Sequence, residues 1–517
     1  MEKELLSMRN ITKIYSNGVM ANKDVNFSVR KGEIHALMGE NGAGKSTLMK
    51  ILFGAQGMDS GSIYFRGQEI TKLNSQQAID LGIGMVHQHF MLVDSLKVYE
   101  NVVMGMEPKK GFIIDNKKAY EMVKDVAEKY NLKVDPAAKI SNLSVGLKQK
   151  VEIIKVLARG AKLLILDEPT AVLTPQETEE LFEQLLLLKE AGHTVIFISH
   201  KIKEVRRICD RITVLRGGRS VGTMDVADST EEEISKFMVG REVVLKVNKS
   251  EPNFGEALLD VQNITYINSE KKKVVNDVSF KVKKGQILGI AGVEGNGQKE
   301  LADCIFGLNQ NVKGKILFNN KNLLDNSIKE IRESGISFIP EDRMTTGVAT
   351  KVSIWENLIS DRIDKAHLKE KGLLSMKKIR ELANHLIKDF AILCRNMNQE
   401  VSMLSGGNMQ KVVVAREMSA DPQLLIANQP TRGIDVGANE FIWKKLIDLR
   451  DKERGIILIS ADLNEVLELS DSILVMHEGK VAGYFEDASE LDEYNLGLYM
   501  LGLKKQTNGG EEIDEDK

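Results

Sequence analysis

Apolar residues fall in two rhythms along this chain. One is a set of short, almost unbroken runs: "EIHALMG" from Glu33, "KLLILDEP" from Lys162, "HTVIFISH" from His193 and "QILGIAG" from Gln286. Runs that are apolar at consecutive positions predict strands covered on both faces, as in a parallel sheet. Each run ends in glycine or polar residues, and open α/β sheets hold ligands outside the carboxyl ends of their strands. The second rhythm is helical, as in "STLMKILFG" after the first run and in two stretches rich in helix formers, about 89–142 and 342–403. The pattern predicts an α/β fold.

The chain also repeats itself. "NITKIYSNGVMANKDVNFSVRKGEIHALMGENGAGKSTL" from Asn10 aligns without a gap on "NITYINSEKKKVVNDVSFKVKKGQILGIAGVEGNGQKEL" from Asn263, an offset of 253. "GIGMVHQ" from Gly82 and "GISFIPE" from Gly335 keep that offset. "LSVGLKQK" from Leu143 and "LSGGNMQK" from Leu404 lie 261 apart, as do "LLILDEPT" from Leu163 and "LLIANQPT" from Leu424. One added surface loop of eight residues accounts for the change. A period this long means a duplicated domain. The expected units are residues 5–240 and 257–500, followed by an acidic tail, 501–517, read as solvated. The joint between them is expected in "VADSTEEEISKFMVGREVVLKVNKSEPNFGEA", which is charged and carries Pro252 and Gly255.

Composition narrows the partners. At 517 residues the chain exceeds one ordinary core, which agrees with two domains. A net charge of −3 and a pI near 6.3 argue against nucleic acid as the main partner. The cysteines, Cys209, Cys304 and Cys394, form no CxxC pair and read as reduced thiols of a cytosolic protein. "MEKELLSMRN" lacks the apolar core of a signal peptide. Runs such as "EQLLLLKEAG" fall short of the roughly 18–20 residues that span a bilayer. Any membrane role is therefore expected through a partner.

Candidate chemistry sits at the strand ends. "GENGAGKST", residues 39–47, follows a predicted strand and opens a predicted helix, as a phosphate-binding loop requires. Its glycines turn backbone N–H groups around phosphates, and the helix start adds a positive dipole end. Gly39, Asn41, Gly42, Gly44 and Thr47 are expected to line a nucleotide's phosphates, with Lys45 on the β/γ-phosphates and Ser46 on Mg²⁺. Asp167, at the end of "LLILD", suits the Mg²⁺ shell, and Glu168 suits the base for an attacking water. Taken alone, the pair could be two exposed acids in a turn.

The order of these motifs resembles that of ATP-binding cassette (ABC) ATPases: two tandem P-loop NTPase domains, each a mainly parallel sheet core with an antiparallel β part and a helical subdomain. The resemblance implies that Gln88 contacts Mg²⁺ and senses a transmembrane partner, and that His200 is a switch near the γ-phosphate. It implies adenine stacking for Tyr15, the alternative being a packing role. In that family an "LSGGQ" loop of one cassette closes over nucleotide held by the other. The first half has Val145 and Leu147 in "LSVGLKQ", whereas the second keeps "LSGGN". The second half has Gln298, Lys299, Glu341, Asn428, Gln429, Ala461 and Asn268 where the first has Lys45, Ser46, Gln88, Asp167, Glu168, His200 and Tyr15. Its next loop, "RGID", keeps Asp435, where "AVLT" ends in Thr174. Head-to-tail pairing would gather every intact motif into one composite site: Lys45, Ser46, Gln88, Asp167, Glu168 and His200 with Ser405, Gly406, Gly407 and Asp435.

Tandem cassettes of this kind resemble the ATPase subunit of bacterial importers for simple sugars and nucleosides. "GVEGNGQ", "NQPTRGIDVGA" and "ISAD" look closest to the nucleoside branch, with sugar import as the alternative. The resemblance implies two transmembrane permease subunits, an extracytoplasmic substrate-binding protein, and a peripheral position on the cytoplasmic face of the cell membrane. Soluble tandem cassettes that act on the ribosome are a remote alternative. Those usually keep both sites competent and join them with a long basic linker, unlike "DSTEEE" here.

Overall fold

The computed structural model describes residues 4–15, 18–40, 42–71, 73–88, 90–171, 173–240, 249–370, 372–434, 436–506 and 512–514. The chain divides into two compact units, Met1–Val243 and Val244–Lys517.

In the first unit the buried runs form one six-stranded sheet. Its order is Arg219–Asp225, Arg211–Arg216, Ile34–Met38, Thr194–Ile198, Leu163–Asp167 and Ile83–Val86, and all pairs but the first are parallel. Ile34–Met38, Thr194–Ile198 and Leu163–Asp167 are buried at every residue, as parallel strands covered on both faces must be. A separate antiparallel sheet is built from Glu4–Ile14, Met20–Arg30, Ser60–Phe65 and Gln68–Ile70. Helix Lys45–Leu52 shares one apolar cluster with both sheets: Leu48 and Leu52 pack with Leu6, Phe27, Ile63, Leu163 and Ile196. A helical part, Val98–Val103, Asn116–Lys129 and Val145–Ala158, completes the unit. The described part of the stretch 89–142 holds the helices Val98–Val103 and Asn116–Lys129, as its composition predicts, but the rest is mostly loop and includes a small hairpin, Lys109–Lys110 with Ile113–Ile114.

The second unit repeats this plan. Its parallel strands Ile336–Ile339, Leu424–Asn428, Gly455–Ile459, Ile287–Ala291 and Ser472–His477 follow the same order, with Lys480–Phe485 antiparallel at the edge. Successive side chains of one strand enter different cores. Leu424 and Ile426 join the cluster under the antiparallel sheet, while Leu425 and Ala427 join the cluster that holds the helical part. That two-sided burial is why these strands read as unbroken apolar runs rather than alternating ones.

Residues 241–248 of the expected joint lie outside the described residues. Glu231–Val239 is a helix, opened by a capping box in which Thr230 and Glu233 bond each other's backbone. The three glutamates of "DSTEEE", Glu231, Glu232 and Glu233, occupy its first turn, where the helix dipole favours them, and Ile234 and Met238 are buried. The helix packs on Arg211–Arg216 of the first unit. Near the acidic end, Lys504–Gln506 pairs antiparallel with Glu512–Asp514.

Candidate active site

The loop after Ile34–Met38 is shaped by glycines. Gly44 caps helix Lys45–Leu52 with φ 98°, and a Cβ there would lie 2.3 Å from the Ala21 carbonyl oxygen, so only glycine fits. Lys45 follows at once and is 5% exposed. Its Nζ donates to the carbonyls of Gly39, at 2.6 Å, and Glu40, at 3.0 Å, inside the loop. Burial pulls the ammonium below its ordinary pKa, and the charges of Glu168 and Asp167 partly offset that. A buried cation backed by two carboxylates is poised for a polyanion.

The two carboxylates close the site from the neighbouring strand. Asp167 ends Leu163–Asp167, and Ser46 Oγ donates to its Oδ1 at 3.5 Å. Burial raises the Asp167 carboxyl, while the bond from Ser46 and the charges of Lys45 and His87 pull the other way. Glu168 occupies the next turn with φ 47°, its N–H bonded to the Ile198 carbonyl. Gln88 Nε2 donates to Glu168 Oε2 at 3.0 Å, and His200 Nδ1 lies 3.1 Å from Oε1. Burial pushes this carboxyl up, but His200, by hydrogen bond and charge, and then Lys45 and Lys201 bring it net below the ordinary glutamate value. Glu168 is therefore ionised at neutral pH and held by two side chains, an orientation that suits a base for water.

The structure thus gathers Lys45, Ser46, Gln88, Asp167, Glu168 and His200 into one cluster. Tyr15 and Thr47 adjoin it, hydroxyl to hydroxyl at 3.1 Å, with a second bond from Tyr15 to Gln56 Oε1 at 3.2 Å. Asn41 and Asp435 lie outside the described residues. Ser405, Gly406 and Gly407 belong to the second unit, where Ser405 Oγ caps helix Gly406–Met418 by accepting from Asn408 N–H at 3.4 Å. Ser144 caps the matching helix Val145–Ala158 in the first unit, accepting from Leu147 N–H at 3.3 Å.

The second unit keeps the backbone of this site and changes its groups. Gly295 and Gly297 hold φ 91° and 99°, against 82° and 98° at Gly42 and Gly44. Gln298 Nε2 donates to the Val293 carbonyl at 3.2 Å, the bond that Lys45 makes to Glu40. Gln429 stands at φ 52° with its N–H on the Ile459 carbonyl, and its Oε1 accepts from Ala461 N–H at 3.1 Å. No carboxylate remains at either strand-end position.

The family described as "ABC transporter" matches twice, at residues 22–171 and 275–432. The chain belongs to the ABC transporter family. Its two units are cassettes of that family, and such cassettes bind ATP. The guanosine import ATP-binding protein NupO of Bacillus subtilis (strain 168) is 44% identical over 98% of this chain and 99% of its own length. The nucleoside import ATP-binding protein NupA of Lactococcus lactis subsp. cremoris (strain MG1363) is 41% identical over 96% of this chain and 98% of its own. The xylose import ATP-binding protein XylG of Thermoanaerobacter pseudethanolicus (strain ATCC 33223 / 39E) is 42% identical over 98% of this chain and all of its own. The solved complex of archaeal ribosomal stalk protein aP1 with ribosome recycling factor aABCE1 matches 98% of this chain and 96% of that one, with TM-score 0.62. At 18% identity that match shows the fold alone.

Sequence reasoning passed over several residues that the cassettes use. Glu204 accepts from Thr170 at 2.7 Å and Ser199 at 3.1 Å, pinning the turn after Glu168 to the turn before His200. Its counterpart Glu465 is fully buried and accepts from Thr431 and Trp443, each at 2.8 Å. The recurrence of Thr, Ser and Glu at one offset was the available signal. His87 lies beside Asp167's field, edge-on to Phe53, and borders a cleft of about 200 Å³ with Met85, Met91 and Glu152. Nothing in the local sequence marks that cleft.

Proposed function

We propose that this chain is the ATP-hydrolysing subunit of a bacterial ABC importer, with nucleosides as its cargo class. The observation that carries the ATPase reading is Glu168, ionised and held between Gln88 and His200 beside a loop whose buried Lys45 awaits phosphate. The cargo class rests on two relatives of nearly full length whose names specify guanosine and nucleoside import. Sugar import is the second reading, favoured by the match to a xylose import protein.

Mg²⁺ fits the first cassette. A buried carboxylate and a serine hydroxyl face each other there, and burial leaves Asp167 in want of a counter-charge. Ser46, Asp167 and Gln88 would hold the ion together with phosphate oxygens, since no cluster of three or more His, Cys, Asp or Glu suited to a metal occurs among the described residues. Bound Mg²⁺ would supply charge neutralisation at the β- and γ-phosphates. Lys45 binds the same oxygens from inside the loop. Glu168 Oε accepts a proton from water aligned with the γ-phosphorus, and His200 keeps that carboxylate turned toward it. Tyr15, whose hydroxyl bonds Thr47 and Gln56, would stack on the adenine ring.

Completion of the site falls to Ser405, Gly406, Gly407 and Asp435 of the second cassette, closing over ATP held by the first. The degenerate pocket would not hydrolyse, having lost base, metal acid and phosphate cation together. No helix among the described residues is long and apolar enough to cross a membrane. On the importer reading, two permease subunits would form the membrane path, with this chain at the cytoplasmic face. A substrate-binding protein would deliver cargo from outside. The clefts by His87 and by Thr345–Val348 of the second cassette are where short permease helices would seat.

Uptake of labelled guanosine and xylose, by cells whose own copy is replaced with Glu168→Gln, tests this reading. Loss of guanosine uptake alone is expected. Loss of xylose uptake alone transfers the assignment to sugars, and no loss of either overturns the importer function.

A further inference from the structure

Two loops of the second cassette share one guanidinium. Helix Gly406–Met418 begins where a side chain has no room: a Cβ on Gly406 would lie 2.9 Å from Arg343 Nη2. Gly433, in the loop after strand Leu424–Asn428, would meet the same nitrogen at 3.3 Å, and its φ of 66° favours glycine besides. Arg343 also bonds two successive carbonyls of that loop. Nη1 donates to Arg432 O at 2.5 Å and Nη2 to Gly433 O at 3.3 Å. A single planar fork thus packs on the loop of Ser405–Gly407 and binds the loop that leads to Asp435.

Arg343 is itself held in place. It opens a short π-turn, Arg343–Gly347, which Asp342 pins: the carboxylate accepts from Met344 N–H at 2.8 Å and Thr345 Oγ1 at 2.6 Å, and the carbonyl from Thr346 Oγ1 at 2.6 Å. The turn is made of added chain. Pro340 lies 253 residues after His87, but Ile354, at the start of the next helix, lies 256 after Val98, the start of its counterpart, so three residues are extra here. Turns of this kind are frequent at functional sites. The first cassette has Phe90 in place of Arg343, Val145 in place of Gly406 and Val172 in place of Gly433. The arginine and the two glycines that make room for it occur together, in the cassette that keeps the closing motif. A cation beside a helix N-terminus opposes the helix dipole, so Arg343 is poorly placed to serve only as a brace for helix Gly406–Met418.

We propose that Arg343 is a positioning residue for ATP hydrolysis: it fixes the spacing between the Ser405–Gly407 loop and the loop that carries Asp435, so that both meet nucleotide as one piece. The inference rests on the reading that these loops close over ATP held by the first cassette. Arg343 acts through them and touches no reacting atom. Arg432 is clamped twice, at its carbonyl by Arg343 and at its side chain by the ion pair with Glu341. Loops spaced in advance need no further ordering when the site closes, and a misplacement of about 1 Å can lower a rate about 100-fold. The loss therefore falls on turnover. Capture of ATP depends on the Lys45 loop, which Arg343 leaves alone.

Steady-state hydrolysis of ATP by the full chain, with kcat and KM read separately, tests this. Arg343→Ala should lower kcat at least about tenfold while KM stays within about threefold. Arg343→Lys should fall between, since an ammonium keeps the charge but cannot span two carbonyls. Tryptophan fluorescence follows folding of the second cassette, which holds both Trp355 and Trp443. If Arg343→Ala unfolds it, Arg343→Lys decides alone. A full kcat in Arg343→Lys, or a rise in KM with kcat unchanged in Arg343→Ala, overturns the proposal. Ser405→Arg separates it from the reading beneath it. Loss of hydrolysis in Ser405→Arg but not in Arg343→Ala leaves the composite site standing and removes the arginine's role. No loss in either variant removes both. A loss in Arg343→Ala alone also overturns the proposal, because the arginine would then act elsewhere than through the closing loop.

Discussion

Glu168 and Gln429 occupy the same turn of two cassettes, and comparing them separates shape from chemistry. Both adopt left-handed backbone, at φ 47° and 52°, and both donate N–H to the last residue of the neighbouring strand, Ile198 or Ile459. Around Glu168 the side chains converge: Gln88 and His200 bind its two oxygens. Around Gln429 they have turned elsewhere. Glu341, where Gln88 would be, pairs with Arg432, and Ala461, where His200 would be, offers only its backbone. The turn is held by main-chain bonds that any residue can make, so its geometry survives the loss of function. What decays is the ring of side chains that makes the geometry useful.

The sharpest way to break this comparison is at the paired acids. Glu168→Gln should lower ATP hydrolysis by about 10²–10⁴-fold, the usual worth of a placed general base, whereas Gln429→Ala should leave it within about twofold. Phosphate release by the two variants decides the matter, and equal losses would erase the asymmetry. Next come the capping serines. Ser405 and Ser144 each cap a helix, so replacing either costs a similar stability of about 1 kcal/mol. Any difference in activity between Ser405→Arg and Ser144→Arg then reports contact with nucleotide. Ser405→Arg should reduce hydrolysis at least tenfold more, and the opposite ranking would sink the head-to-tail pairing.

A subtler difference lies behind the turns. Burial pushes the Glu465 carboxyl up to about 7, opposed by bonds from Ser460, Thr431 and Trp443. The folded cassette therefore prefers Glu465 protonated. That stabilisation is full below the ordinary carboxylate range and is lost as pH rises through about 7. Between pH 6 and 8 the second cassette should lose about 1 kcal/mol, and Glu465→Gln should flatten the slope. Urea unfolding followed by tryptophan fluorescence reads this cassette alone, because both tryptophans, Trp355 and Trp443, lie in it. The smallest effect expected is none: Gln298→Lys should leave ATP turnover unchanged, since Asn428 and Gln429 remain amides. A doubling of phosphate release would show the second site to be one residue from competence.

Much of the fold was legible in advance. Unbroken apolar runs marked strands buried on both faces, and the 253-residue offset marked the duplication before any contact was known. The hairpin at Lys109–Ile114 was missed because two-residue strands carry no periodicity to detect. The helix at Glu231–Val239 lies within a charged stretch with the composition of a joint, although its Thr230–Glu233 capping box stands in the sequence beneath the charge. At the site, motif spacing named Lys45, Ser46, Asp167 and Glu168, but it gave no hint of Arg432, whose role depends on a glutamate 91 residues away.

The sequence by itself determined the repeat, the strand pattern and which half carries acids, lysine and histidine, because those are matters of residue identity at fixed spacing. Only the tertiary structure decided that Gln88, 80 residues before Glu168, and His200, 32 after it, grip one carboxylate. It likewise decided that the second loop's Glu294 faces Arg432, which is ion-paired with Glu341. Local patterns set local conformation, but the partner of a strand-end side chain is fixed by strand order across the sheet. That order is settled by how whole faces bury against one another.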